Sequence, residues 1–122
     1  MKSKILVVDD EEHIRELIRF YLDKEGFSVA EAETGQKALE ILENEYIDLA
    51  IVDIMMPVMD GLEASLAIRL SKRTDAKNIP IIAMTAQASK ECMQQCSDAG
   101  MNGHLTKPVA SQKLIETIIE FT

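Results

Sequence analysis

The 122 residues predict an α/β fold: a doubly wound sheet of five parallel strands with helices on both faces. Three observations carry that expectation. Short, continuous apolar runs recur five times, as strands buried on both faces do. Between them lie stretches with apolar residues at helical spacing. No repeat, linker or low-complexity segment breaks the alternation. Residues 1–122 are therefore expected to form one domain, long enough to bury a core.

The first run, Lys4–Val8, stops at Asp9 and Asp10. Ile14, Leu17, Ile18, Tyr21 and Leu22 then follow at i, i+3, i+4, i+7 and i+8 of a helix over residues 11–25, which Gly26 ends. Asp10, just ahead of that helix, is a candidate N-cap. A weaker run covers residues 27–32, with Glu31 and Glu33 read as surface. The second helix opens near Thr34 and is marked by Ala38, Leu39, Ile41 and Leu42. Residues 48–52 form the third run, rich in branched side chains. Leu62, Leu66, Ile68 and Leu70 mark the third helix, with Asp60 and Glu63 spaced as a capping box. The fourth run, residues 79–84, tolerates Pro80 only at its start. Residues 89–99 read as a helix whose thin apolar stripe is Cys92, Met93 and Cys96. Gly103–Thr106 is the fifth run, and Leu114, Ile115, Ile118, Ile119 and Phe121 mark the last helix.

Charge narrows the function. With 13 basic and 21 acidic side chains the net charge is −8, which repels nucleic-acid phosphates, so direct binding to DNA or RNA is not expected. The excess is lopsided: residues 1–60 hold six basic and 15 acidic side chains, the remainder seven and six. A solvated acidic face accounts for most of it. Cys92 and Cys96, four apart on a helix, read as two free thiols near a core face and not as a disulfide or metal pair. No apolar run approaches a membrane span, and Met1 opens a segment too short and acidic for a signal peptide. A cytoplasmic location is expected.

In doubly wound sheets, ligands bind beyond the carboxyl ends of the strands, where strand order reverses. Asp9 and Asp10 follow strand one, Asp53 strand three, Thr85 strand four and Lys107 strand five. In the order 2-1-3-4-5, strands one and three flank the reversal, so the three aspartates would meet there. Three carboxylates in one crevice require a raised pKa or a cation, and an all-oxygen ligand set suits Mg²⁺ or Mn²⁺. Lys107 adds an ammonium and Thr85 a hydroxyl. A metal, an ammonium and a hydroxyl around one carboxylate are what phosphoryl transfer needs, because that chemistry rests on positioning and charge neutralisation. Asp53 is the candidate nucleophile. Met55, Met56 and Met59 read as gap-fillers, since thioethers do not bind Mg²⁺.

Four segments resemble the response-regulator receiver domain of two-component signalling, a CheY-like, flavodoxin-like family. They are Ile5-Leu-Val-Val-Asp-Asp-Glu-Glu12, Asp48-Leu-Ala-Ile-Val-Asp-Ile-Met-Met-Pro-Val-Met-Asp-Gly61, Ile79-Pro-Ile-Ile-Ala-Met-Thr-Ala86 and Gly103-His-Leu-Thr-Lys-Pro108. The resemblance spans essentially the whole chain and implies strand order 2-1-3-4-5. It implies that Asp53 accepts phosphate from a sensor histidine kinase or histidine phosphotransfer protein. Asp9, Asp10, Asp53 and the backbone carbonyl of Met55 would hold Mg²⁺, and Thr85 and Lys107 would bind the phosphoryl oxygens. The Lys107-Pro108 peptide would be cis, fixing the lysine's aim. His104, three before that lysine, occupies the aromatic switch position, where Tyr or Phe is common. Phosphorylation would draw Thr85 inward, let the ring at 104 turn, and alter the surface of helix four, strand five and helix five toward an output domain or partner. Met55 and Gln87 would border the phosphoryl group and tune its hydrolysis. Such a domain is no enzyme toward other substrates: it catalyses only its own phosphorylation and slow dephosphorylation. Lys90, Gln94 and Gln95 are candidate partner-facing residues, against a reading as ordinary surface.

Competing classes fit less well. A haloacid-dehalogenase-like phosphatase would want Asp-x-Asp after its first strand, and here Asp9 and Asp10 are adjacent. A flavodoxin-like cofactor carrier would cradle phosphate in a Gly- or Ser-rich loop, where this chain has Asp9, Asp10, Glu11 and Glu12. A degenerate receiver that only binds partners is the least economical reading, because every matching residue is present.

Overall fold

The structure, a computed structural model, describes residues 3–56, 60–70, 78–86 and 89–121. The expectations that touch Met1, Pro57, Val58, Met59, Gln87 and Thr122 lie outside them. Among the described residues the elements alternate as β1 (Lys4–Val8), α1 (Glu12–Lys24), β2 (Ser28–Ala32), α2 (Gly35–Asn44), β3 (Leu49–Asp53), α3 (Gly61–Arg69), β4 (Ile81–Thr85), α4 (Lys90–Asp98), β5 (Gly103–Thr106) and α5 (Ser111–Phe121). The strands form one parallel sheet in the expected order β2-β1-β3-β4-β5.

Strand alternation sorts the core onto two faces. Ile5 and Val7 of β1 pack with Ile18 and Leu22 of α1 and Leu114 and Ile118 of α5. Leu6 and Val8 pack with Ala38 and Leu42 of α2, Ala64 and Ile68 of α3 and Cys96 of α4. Burial on both sides explains the unbroken apolar character of β1, β3 and β4.

Helix ends follow local chemistry. Thr34, Asp60 and Ser89 each accept a hydrogen bond on the side chain, from the backbone N–H of Lys37, Glu63 and Cys92 respectively. Gly26 and Gly100, both at φ 85°, close α1 and α4. At Gly26 the N–H groups of Gly26 and Phe27 donate to the carbonyls of Asp23 and Leu22, a Schellman closure. The left-handed φ explains why glycine stands there.

Several sequence expectations need correction. Asp10 does not cap α1: the N-cap residue is Glu11, without a side-chain cap bond, and Asp9 Oδ1 accepts from the Glu11 N–H at 2.9 Å. Strands β3 and β4 run one residue further than expected, so Asp53 and Thr85 close them, paired with Met84 and Thr106. Leu17, Leu66, Leu70 and Ile119 are exposed, not core. In α3 the buried face is instead Gly61, Ala64, Ser65 and Ile68. Small residues there let the helix come close, and the Ser65 hydroxyl donates to the Ala99 carbonyl at the end of α4. Arg69 donates to the carbonyls of Ile79 and Gly100, adding a second tie between α3 and that end.

Candidate functional site

Because β2 and β3 lie on opposite sides of β1, the chain leaves the tops of β1 and β3 in opposite directions. The crevice this opens holds the carboxylates of Asp9, Asp10 and Asp53, with one oxygen from each within 4.8 Å of the others. Asp9 and Asp53 are buried, and Asp10 is exposed at the mouth. The three residues that the strand-end argument brought together do meet.

Lys107 answers them from the far side of β4. Its Nζ lies 3.1 Å from Asp53 Oδ2, to which it donates, and 3.2 Å from Asp9 Oδ2. The second approach is an ion pair without hydrogen-bond alignment, which leaves the buried Asp9 Oδ2 with no hydrogen-bond donor. Burial lowers the lysine's pKa, but the Asp53 hydrogen bond and then the charges of Asp53 and Asp9 outweigh it, so the net shift is upward. The ammonium form is thereby held. The Lys107 N–H also donates to the Thr85 carbonyl at 2.8 Å, tying the lysine's backbone to β4. The Lys107-Pro108 peptide is cis, as expected.

The remaining Asp53 oxygen, Oδ1, accepts from the Met55 N–H at 3.0 Å. Met55 itself is exposed, so it is not a gap-filler, whereas Met56 is buried in the core as expected. Thr85 is buried, and its hydroxyl stands 3.8 Å from Cys92 Sγ. A cavity of about 720 Å³ lined by Met55, Leu62, Thr85 and Cys92 opens beside it. Cys92 and Cys96 are free thiols, and burial, then Cys92, pushes the Cys96 pKa up to about 11. His104 lies on β5 opposite Ala83, with its ring exposed on the α4 side near Met93 and Cys96. Lys90, Gln94 and Gln95 are exposed on α4.

Two residues near the site were not singled out from sequence. An added Cβ at Gly61 would fall 2.4 Å from the Asp53 carbonyl oxygen and 2.6 Å from Ile54 Cα, so only glycine lets α3 start against the backbone of Asp53 and Ile54. The Asp60-Gly61 pair was the available signal. Arg15 donates through Nη1 to the Asp9 carbonyl at 2.7 Å and pairs with Glu31 at 3.3 Å. Glu31 is thus half-buried and engaged, not free surface; Glu33 is exposed as expected.

Among the described residues, an orphaned buried carboxylate oxygen and two more carboxylates at close range, with no sulfur or imidazole in the cluster, make a donor set that fits a hard divalent cation. A family model described as the response regulator receiver domain matches residues 5–119. The chain is 40% identical over 115 residues to the transcriptional regulatory protein ResD of Bacillus subtilis, covering 93% of this chain and 45% of that one. It thus spans less than half of ResD. Among solved structures, the chemotaxis protein CheY4 of Vibrio cholerae matches with a TM-score of 0.95 and 32% identity, over the full length of both chains. The receiver domain of the sensor histidine kinase PA1611 of Pseudomonas aeruginosa matches with a TM-score of 0.89 and 30% identity, over 99% of this chain and 98% of that one. That domain carries a magnesium ion coordinated in its active-site cleft.

Proposed function

The chain belongs to the response regulator receiver domain family, and on that premise we propose that it accepts a phosphoryl group on Asp53 from a histidine kinase or histidine phosphotransfer protein. The observation that carries this reading is Lys107 Nζ set between Asp53 and Asp9, with Asp10 beside them. A carboxylate so flanked is oriented and partly neutralised at the oxygen that must meet an anionic donor.

In the transfer, a carboxylate oxygen of Asp53 attacks phosphorus, the P–N bond to the donor imidazole breaks, and its electron pair leaves with that ring. The product is an aspartyl phosphate. Met55 N–H holds the other oxygen and keeps the carboxylate plane fixed. Lys107 then hydrogen-bonds a phosphoryl oxygen, and the Thr85 hydroxyl reaches another. Asp9, Asp10, Asp53 and the Met55 carbonyl would hold Mg²⁺, or Mn²⁺, which when bound would offset the negative charge of the phosphoryl oxygens. Hydrolysis by water returns the free carboxylate slowly, and the domain acts on no other substrate.

The signal leaves through α4, β5 and α5. Thr85 ends β4 beside Cys92 of α4, so its movement toward the phosphoryl group changes what the start of α4 rests on. The space vacated lies toward His104, whose ring would turn inward. The receiving partner is an output domain or a separate protein, met in the cytoplasm, and residues 1–122 act as one receiver domain. No helix among the described residues is long and apolar enough to cross a membrane.

The test is incubation with acetyl phosphate and Mg²⁺, read by intact mass. One added phosphoryl group is expected on the wild type and none on Asp53→Asn. Equal adducts on both, or none on the wild type, would overturn the assignment.

A further inference from the structure

The loop between β1 and α1 carries two of the three aspartates, yet α1 lends it no side-chain cap. Its anchors are elsewhere. Asp9 N–H donates to the Ala32 carbonyl at 3.1 Å, Asp9 Oδ1 accepts from the Glu11 N–H, and the Asp9 carbonyl accepts from Arg15 Nη1 at 2.7 Å. The last of these has the most leverage on Asp10. The Asp9 carbonyl and the Asp10 N–H belong to one planar peptide, so whatever holds the carbonyl fixes the plane from which the Asp10 side chain departs.

Arg15 is itself held. Its side chain is only 12% exposed, and its Nε meets Glu31 Oε1 on β2, while Glu31 Oε2 accepts from Arg19 Nη1 at 2.6 Å. A chain of charge-assisted bonds therefore runs from the edge strand through α1 to the metal-site loop. Arg15 spends its guanidinium on a carbonyl and on Glu31, both outside the trio of carboxylates that faces Lys107.

We infer that Arg15, oriented by Glu31, is a positioning residue for the acidic pocket: it fixes the Asp9-Asp10 peptide and so sets the affinity for Mg²⁺. This rests on the reading of the pocket as a Mg²⁺ site. The alternative, that Arg15 matters only as a nearby positive charge, has the opposite sign. A guanidinium close to the pocket repels a dication, so its removal would then tighten binding.

Titration of the unphosphorylated protein with MgCl₂ by calorimetry, with melting curves to verify folding, separates the two. Arg15→Gln is expected to weaken Mg²⁺ binding about tenfold, the scale seen when the outer partners of metal ligands are removed. Arg15→Lys keeps the charge but cannot bridge the carbonyl and Glu31 with one planar fork; it is expected to bind more weakly than the wild type and more tightly than Arg15→Gln. Adding Glu31→Gln to Arg15→Gln should cost little more, because the two act in series. Unchanged affinity in Arg15→Lys, or tighter binding in Arg15→Gln, would overturn the inference while leaving the Mg²⁺ site standing. A wild type that binds no Mg²⁺ would overturn both.

Discussion

Lys107 is a cation whose nearest neighbours are two buried carboxylates, and this fixes how its charge responds to pH. Its folded pKa stands above 10.5, because the attraction of Asp53 and Asp9 exceeds the cost of burial. A group raised in this way contributes its stability in full below the unfolded pKa, near 10.5, and loses it as pH climbs through the higher folded value. In metal-free buffer, the stability difference between the wild type and Lys107→Met, from urea unfolding, is therefore expected to be flat from about pH 6 to pH 9 and to change only in alkali beyond the unfolded pKa. A change already between neutral pH and about pH 9 would contradict the assignment. At this scale the sequence disclosed Asp9, Asp10, Asp53, Thr85 and Lys107, because each follows an apolar run and strand ends are where parallel sheets present side chains. It did not disclose Arg15 or Glu31. Arg15 lies on the polar side of an amphipathic helix, and its partners belong to a carbonyl and a neighbouring strand that no periodicity in α1 records.

Among the elements, α3 shows how close approach is bought with small side chains. Gly61 begins the helix against the Asp53 and Ile54 backbone, and the Gly61 N–H donates to the Ile54 carbonyl at 3.3 Å. Backbone cannot yield as a flexible side chain would, so Gly61→Ala must move either the helix or the end of β3. Urea unfolding should register a loss of about 1–3 kcal/mol, the usual scale for overpacking a core. Acetyl phosphate labelling of Asp53 should slow in parallel; full stability in Gly61→Ala would refute the close approach. The same small residues misled the helical pattern. Leu66 and Leu70 drew attention as apolar markers, whereas burial follows Gly61, Ala64, Ser65 and Ile68, since a short interaxial distance favours residues that hydropathy weighs lightly. Ser65 and Arg69 donate to the carbonyls of Ala99 and Gly100 just beyond α4, and at the helix's start the Cys92 thiol stands 3.8 Å from the Thr85 hydroxyl.

For the molecule as a whole, strand order was the part of the fold that required family resemblance; the number and kind of elements followed from apolar runs and helical spacing. If the crevice carboxylates hold Mg²⁺ as proposed, the folded state is expected to respond to that cation. A ligand that binds only the native state stabilises it by mass action, so Mg²⁺ at a hundred times its Kd should add about 2.7 kcal/mol, seen as a higher Tm. NaCl at matched ionic strength should do less, and Asp10→Asn should lose most of the Mg²⁺ increment. Equal shifts from both salts would mean that screening alone is at work. One consequence concerns the order in which the molecule is made. Lys107 and Asp53 are 54 residues apart, and the lysine's backbone hangs from Thr85 at the end of β4. Until β5 has emerged and docked, the aspartates have no ammonium among them. An unfinished chain would therefore lack the charge neutralisation that the proposed phosphoryl transfer to Asp53 needs.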